Sequence, residues 1–215
     1  MLCTNYRAAL GDPGGLLDFT RLEFLPAPER LDPPAGELHV WRLASFPSRL
    51  REVLAVYLGA EAGQIELEPG PHGKPQLAQP GRLRFNLSHS RELALIAVGG
   101  QLEVGVDVER MRAGRDVVAL AERVLEPEDV AAVRGAPAAR RDLVFHQLWT
   151  RHEARLKCLG VGLSGSKPET GPLAVAALEV GPGYAAAVAV AAPEVPPLRG
   201  WTFDPPLPEA GWPVS

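Results

Sequence analysis

Asp107 and Glu109 stand two residues apart in the run Gly105-Val106-Asp107-Val108-Glu109-Arg110. On a strand, alternate side chains share a face, so the two carboxylates look one way and Val106 and Val108 the other. Like charges held that close repel, and a hard divalent cation with oxygen ligands relieves the repulsion, Mg2+ first among the candidates. A solvated strand end is the plainer reading of an Asp-x-Glu that stands alone. Glu153 and Lys157 are four apart in a helical stretch and share a face, which fits an exposed ion pair worth a few tenths of a kcal/mol as well as a site. Ser88-His89-Ser90 offers hydrogen-bond donors or merely a polar turn, and His89 alone also fits a core histidine. A Ser-His hydrolase of the α/β-hydrolase type would also need a nucleophile elbow, which is absent. Lys74 sits in a turn, Pro71-His72-Gly73-Lys74-Pro75.

The elements that must position these groups are legible in outline. Residues 93 to 98, Leu-Ala-Leu-Ile-Ala-Val, form a short apolar run closed by Gly99-Gly100, which predicts a strand buried on both faces, and Val104 to Val108 predicts a second. Residues 37 to 43 alternate as a strand. Ser48 is placed as the N-cap of a helix with a stripe of Leu50, Val53, Leu54, Tyr57 and Leu58 that stops at Gly59. Residues 65 to 68 read as a strand leading into the Gly-Lys-Pro turn. A helical pattern from Val117 to Leu125 follows, then a helix opened by Pro127. A helix over about 142–159 carries a stripe of Phe145, Trp149, His152, Leu156 and Leu159 and ends at Gly160. Residues 173–180 and 184–190 read as a hairpin.

Four motifs in order, Gly73-Lys74-Pro75, Asn86-Leu87-Ser88-His89-Ser90, Gly105-Val106-Asp107-Val108-Glu109 and Trp149-Thr150-Arg151-His152-Glu153-Ala154-Arg155-Leu156-Lys157, resemble the signature set of the 4'-phosphopantetheinyl transferase superfamily, of the surfactin-synthetase-activating type. Each motif alone is weak. The resemblance spans roughly residues 37 to 192. The chain departs from the family in two places: the long basic helical segment usually found after the first strand is missing, and His152 stands where lysine is usual.

The resemblance implies an α+β fold of two similar α/β lobes related by a pseudo-twofold, with the active site at their interface. Strands alternating with helices in two successive blocks agree with it. The expected division is an N-terminal arm over 1–36, a shortened N-terminal lobe over 37–105, a C-terminal lobe over 106–192 and a loose tail over 193–215. The implied activity is transfer of 4'-phosphopantetheine from coenzyme A to a serine of an apo acyl or peptidyl carrier protein, with release of 3',5'-ADP. Asp107, Glu109 and Glu153 would hold Mg2+, Lys157 would meet the pyrophosphate, and Glu153 would take the proton of the attacking serine. Gly73, Lys74, Pro75, Ser88 and His89 would hold coenzyme A, with Lys74 on its nucleotide half and Ser88 and His89 donating to phosphate oxygens. Asp129 is the nearest match to a further acidic position of the family. The alternative is a degenerate relative that binds a carrier protein or coenzyme A without transfer, which the shortened first lobe favours and the complete carboxylate set opposes.

Size and charge set the outer bounds. A chain of 215 residues with 46% hydrophobic content is long enough to bury a core. Its formal net charge of -4 argues against a general nucleic-acid binder. Arg110, Arg112 and Arg115 still form a local basic cluster suited to an acidic partner. No apolar run is long enough to span a bilayer and no leader pattern opens the chain, so a cytoplasmic monomer without a membrane partner is expected. Two cysteines, Cys3 and Cys158, are too few for a disulfide framework.

Overall fold

The computed structural model describes residues 19–44, 49–70, 73–79, 81, 83–112, 114–160 and 171–203. The strands are β1 (Phe19–Arg21), β2 (Phe24–Pro26), β3 (Leu38–Ala44), β4 (Leu67–Pro69), β5 (Pro75–Leu77), β6 (Arg84–Ser90), β7 (Leu93–Gly100), β8 (Val104–Arg110), β9 (Ala174–Glu179), β10 (Tyr184–Val190) and β11 (Leu198–Thr202). The helices are α1 (Leu50–Leu58), α2 (Val117–Val124), α3 (Pro127–Gly135) and α4 (Arg141–Leu159). The fold is mixed α+β. Ser48, expected as an N-cap, lies outside the described residues, as do Pro71 and His72.

Two sheets carry the architecture, one in the order β1-β9-β10-β8 and the other in the order β2-β11-β3-β7-β6. Strand alternation explains how they stack. Val104, Val106 and Val108 of β8 and Ala186, Val188 and Val190 of β10 form one core with Leu38, Val40, Leu93, Leu95 and Ala97 of the second sheet. The opposite face of that second sheet, with Trp41, Leu43, Ala94, Ile96 and Val98, is covered by Leu50, Val53, Leu54 and Tyr57 of α1. The outer face of the first sheet, with Ala187 and Ala189, is covered by Ala154 and Cys158 of α4. Every residue of β7 is therefore buried, as its unbroken apolar run predicts. The hairpin expected over 173–190 is present, with Ala187 opposite Ala177. α2 and α3 pack together against the first turns of α4 through Val117, Ala121, Val133, Phe145 and Leu148.

Several expectations are corrected. The arm and the tail contribute strands: β1 pairs in parallel with β9, β2 with β11, and β11 with β3. Three residues are too few to show a period of two, and the prolines before Leu198 disguise β11 as a tail. Leu58 is 41% exposed rather than part of the α1 stripe. The strand expected over 65–68 is β4, paired with β5, while Ile65 is buried in the preceding loop. The largest difference is in α4. Trp149, His152 and Leu156 are only half-buried, and its buried positions include Gln147, Thr150, Ala154 and Cys158. A small and polar helix face is invisible to a search for large apolar residues.

Candidate functional site

β8 and α4 cross at Gly105. A Cβ built there would meet the carbonyl oxygen of Ala154 at 2.0 Å and the backbone nitrogen of Cys158 at 2.4 Å, so only glycine lets the helix backbone approach the strand this closely. The contact fixes the helix over the outer face of the sheet, where Gly105, Asp107 and Glu109 alternate with the core valines of β8. Glu153 and Lys157 flank Ala154 and Cys158 on the helix, and they are carried to that same face.

Asp107 is 3% exposed. Its Oδ1 accepts from Lys157 Nζ at 2.7 Å and from Ser88 Oγ at 2.8 Å, while its buried Oδ2 has no hydrogen-bond partner. Lys157 Nζ also donates to Ser88 Oγ at 3.0 Å. Glu153 is half-buried, and its Oε1 is likewise buried and unpaired. Burial pushes the Glu153 carboxyl above its ordinary value, the charge of Asp107 adds to the rise, Lys157 opposes it, and Glu109 adds a smaller increment. The three expected carboxylates thus feel one another. Among the described residues no three His, Cys, Asp or Glu side chains are drawn into a ready-made metal cage. Two buried carboxylate oxygens without a donor nevertheless fit a hard cation, because such oxygens are costly unless something positive satisfies them.

The polar segment before β7 is a strand, β6, and its alternate side chains make a ladder to β8. Asn86 Oδ1 accepts from Val106 N at 2.9 Å, Ser88 Oγ from Val108 N at 3.4 Å and Ser90 Oγ from Arg110 N at 3.0 Å. Ser90 Oγ in turn donates to Glu109 Oε2 at 3.0 Å. The edge strands of the two sheets are joined in this way by side chains rather than by a backbone ladder. Asn86 and Ser90 belong to the motif read from sequence but carry no role of their own there, although the polar period of two, Asn86, Ser88, Ser90, is the signal that marks them. The same period separates Ser88 from His89: Ser88 is buried and turned to β8, with its proton given to Asp107, whereas His89 is exposed on the opposite side of the strand.

Lys74 is set apart from the carboxylates. Gly73, at φ +77°, closes the turn in which Gly70 N donates to Lys74 O at 2.8 Å. Lys74 Nζ then donates to Val104 O at 3.2 Å and to Lys157 O at 3.3 Å, and it pairs with Glu103 at 3.5 Å. This lysine ties the turn to the start of β8 and the end of α4. Beside it opens a cleft of about 510 Å³, lined by Lys74, Pro75, Phe85, Glu103, Cys158 and Gly160 among others. Burial pushes the Cys158 thiol up to about 11, which makes it a packing residue. His152 stacks on Trp149 with ring centroids 6.0 Å apart and 26° between planes. Asp129 has its carboxyl raised by burial, against the lowering effect of Arg155, His152 and Arg151. No helix is long and apolar enough to cross a membrane among the described residues.

Comparison with known proteins falls on these same elements. Residues 103–181, which hold β8, α2, α3, α4 and β9, match the family model of the 4'-phosphopantetheinyl transferase superfamily. The chain is 38% identical over 130 residues to the 4'-phosphopantetheinyl transferase HetI of Nostoc, covering 59% of this chain and 54% of that protein. It is 35% identical over 126 residues to a putative 4'-phosphopantetheinyl transferase of Synechocystis, covering 58% and 51%. It is 31% identical over 115 residues to the 4'-phosphopantetheinyl transferase psf-1 of Bacillus pumilus, covering 54% and 48%. The chain spans about half the length of the curated relatives it matches. The matched segment is the one that brings Asp107, Glu109, Glu153 and Lys157 to a single face, and over that segment the chain is similar to the 4'-phosphopantetheinyl transferase superfamily.

Proposed function

We propose that this protein transfers the 4'-phosphopantetheine group of coenzyme A to a serine of an apo acyl or peptidyl carrier protein, releasing 3',5'-ADP. The observation that carries the reading is the pair of buried, unpartnered carboxylate oxygens, Asp107 Oδ2 and Glu153 Oε1, beside the Lys157 ammonium. Asp107, Glu109 and Glu153 are the residues to hold a divalent metal, Mg2+ by preference for a pyrophosphate substrate. When bound, Mg2+ would neutralise pyrophosphate oxygens as the bond breaks.

The side chains divide the remaining work. Glu153, with its proton affinity raised by burial and by Asp107, is suited to take the proton of the carrier serine. Lys157 supplies a compact cation for the phosphates. His89, exposed on the opposite side of β6 from Ser88, is given its phosphate contact by the resemblance alone, while Lys74 and Pro75, which follow Gly73 in its turn, line the cleft assigned to the nucleotide half of coenzyme A. Ser88 acts one step back, through Asp107 and Lys157.

Topology supports two related lobes over 37–105 and 106–192. Each has a strand, a helix and a hairpin whose last strand lies in the middle, β3-β7-β6 with α1 and β8-β10-β9 with α4. The reading carries with it a monomeric chain in the cytoplasm, where coenzyme A and carrier proteins meet.

A second reading, binding without transfer, is favoured by one observation: Lys74 Nζ is used inside the protein, on Val104 O and Lys157 O. Release of 3',5'-ADP that requires both apo carrier protein and Mg2+ separates the two. Its absence, with coenzyme A still bound, would leave the binding reading.

A further inference from the structure

We propose that Ser90 is a positioning residue for Glu109, aiming the free oxygen of that carboxylate at the cation. The inference rests on the metal-assisted reading above and adds a residue to it. Ser90 Oγ accepts from Arg110 N at 3.0 Å and donates to Glu109 Oε2 at 3.0 Å. A serine hydroxyl has one proton and two lone pairs, and a backbone N–H can only donate. The Arg110 amide therefore takes a lone pair, and the single proton is left to the carboxylate.

The same device appears two residues earlier. Val108 N donates to Ser88 Oγ at 3.4 Å, and Ser88 Oγ donates to Asp107 Oδ1 at 2.8 Å. In both rungs the amide after a carboxylate orients a serine, and the serine orients the carboxylate. Asp107 has Lys157 as a further anchor at 2.7 Å, whereas Glu109 has a longer side chain with one more torsion to fix. Ser90 claims Oε2 and leaves Oε1 for a ligand. Partners that orient a metal-binding carboxylate in this way are worth about tenfold in metal affinity.

The test is Mn2+ binding to the full chain without coenzyme A, read from the electron paramagnetic resonance signal of the free ion. Ser90→Ala should weaken binding about tenfold, and Ser90→Thr, which keeps the hydroxyl, should restore it. In a Glu109→Gln background the loss caused by Ser90→Ala should vanish, since the hydroxyl would have no charged oxygen to aim. A loss that persists there would show Ser90 acting through the fold and would overturn the proposal. So would an unchanged affinity in Ser90→Ala. Failure of the wild-type chain to take up Mn2+ would instead overturn the metal reading, and the role of Ser90 with it.

Discussion

Lys157 reaches from the last turn of α4 to Asp107 on β8, with Nζ 2.7 Å from Oδ1, and this ion pair joins the helix to the strand fifty residues before it in sequence. Its partners are unequally shielded, the Asp107 side chain being 5% exposed and that of Lys157 28%. Removing the lysine leaves a buried carboxylate with only Ser88 to satisfy it. We expect Lys157→Met to lower stability by about 1–2 kcal/mol, below the range for a fully buried pair because Lys157 keeps contact with water. Mg2+ should recover part of that loss in the variant, and urea midpoints with and without the ion measure it.

Gly105→Ala is expected to be more damaging. The new methyl group would face backbone on the helix side, at Ala154 and Cys158, and backbone does not rotate out of the way. α4 must shift from β8, at a cost of about 3 kcal/mol. The same shift separates Lys157 from Asp107, so coenzyme A binding should weaken together with the unfolding midpoint. A variant with wild-type stability would show that the crossing is looser than described.

The pH dependence of stability should carry the mark of His39. This side chain is 2% exposed; its Nε2 lies 3.0 Å from Glu37 Oε1, its Nδ1 lies 2.7 Å from Tyr57 Oη, and Arg199 holds the other oxygen of Glu37 at 2.7 Å. Burial lowers its pKa from 6.5, with Glu37 pulling the other way and Arg199 adding to the fall. The unfolded chain then binds a proton that the native chain refuses. Stability is complete above the unfolded value and is lost as pH falls from about 6.5 toward the depressed native value. His39→Gln should be less stable at neutral pH but flatter across that window. An unchanged slope would count against His39 as the group responsible.

His152 stands where the family that the chain resembles carries lysine, and its stacking on Trp149 favours a packing role over a phosphate contact. His152→Lys is expected to leave the alkaline limb of the activity profile in place and to cost at most about 1 kcal/mol of stability through the lost ring contact. A flattened alkaline limb in that variant would return His152 to the phosphates.

What was legible in the sequence follows from the reach of each signal. The alternation of Asp107 and Glu109 with Val106 and Val108 is local, and it set the carboxylate face correctly. The apolar run of β7 and the paired runs of β9 and β10 were long enough to identify. The buried side of α4 was not, because Ala154 and Cys158 pack closely where Gly105, Ala187 and Ala189 leave room, Gln147 and Thr150 are buried although polar, and small or polar residues carry little hydrophobic signal. The ladder from Asn86, Ser88 and Ser90 to β8 spans about twenty residues and depends on register, so the polar period was visible while its partner was not. Lys74 shows the same limit, since a turn lysine gives no sign in sequence that it will bond to the carbonyl of Lys157.

The most direct measurement is the intact mass of an apo carrier protein incubated with this chain, coenzyme A and Mg2+. The account predicts the gain of one phosphopantetheine group on the carrier serine, lost when the metal is chelated and reduced at least about a hundredfold in rate by Glu153→Gln, which removes both a proton acceptor and a charged ligand. A carrier protein that keeps its apo mass under these conditions, or one modified equally well by Glu153→Gln, would contradict it.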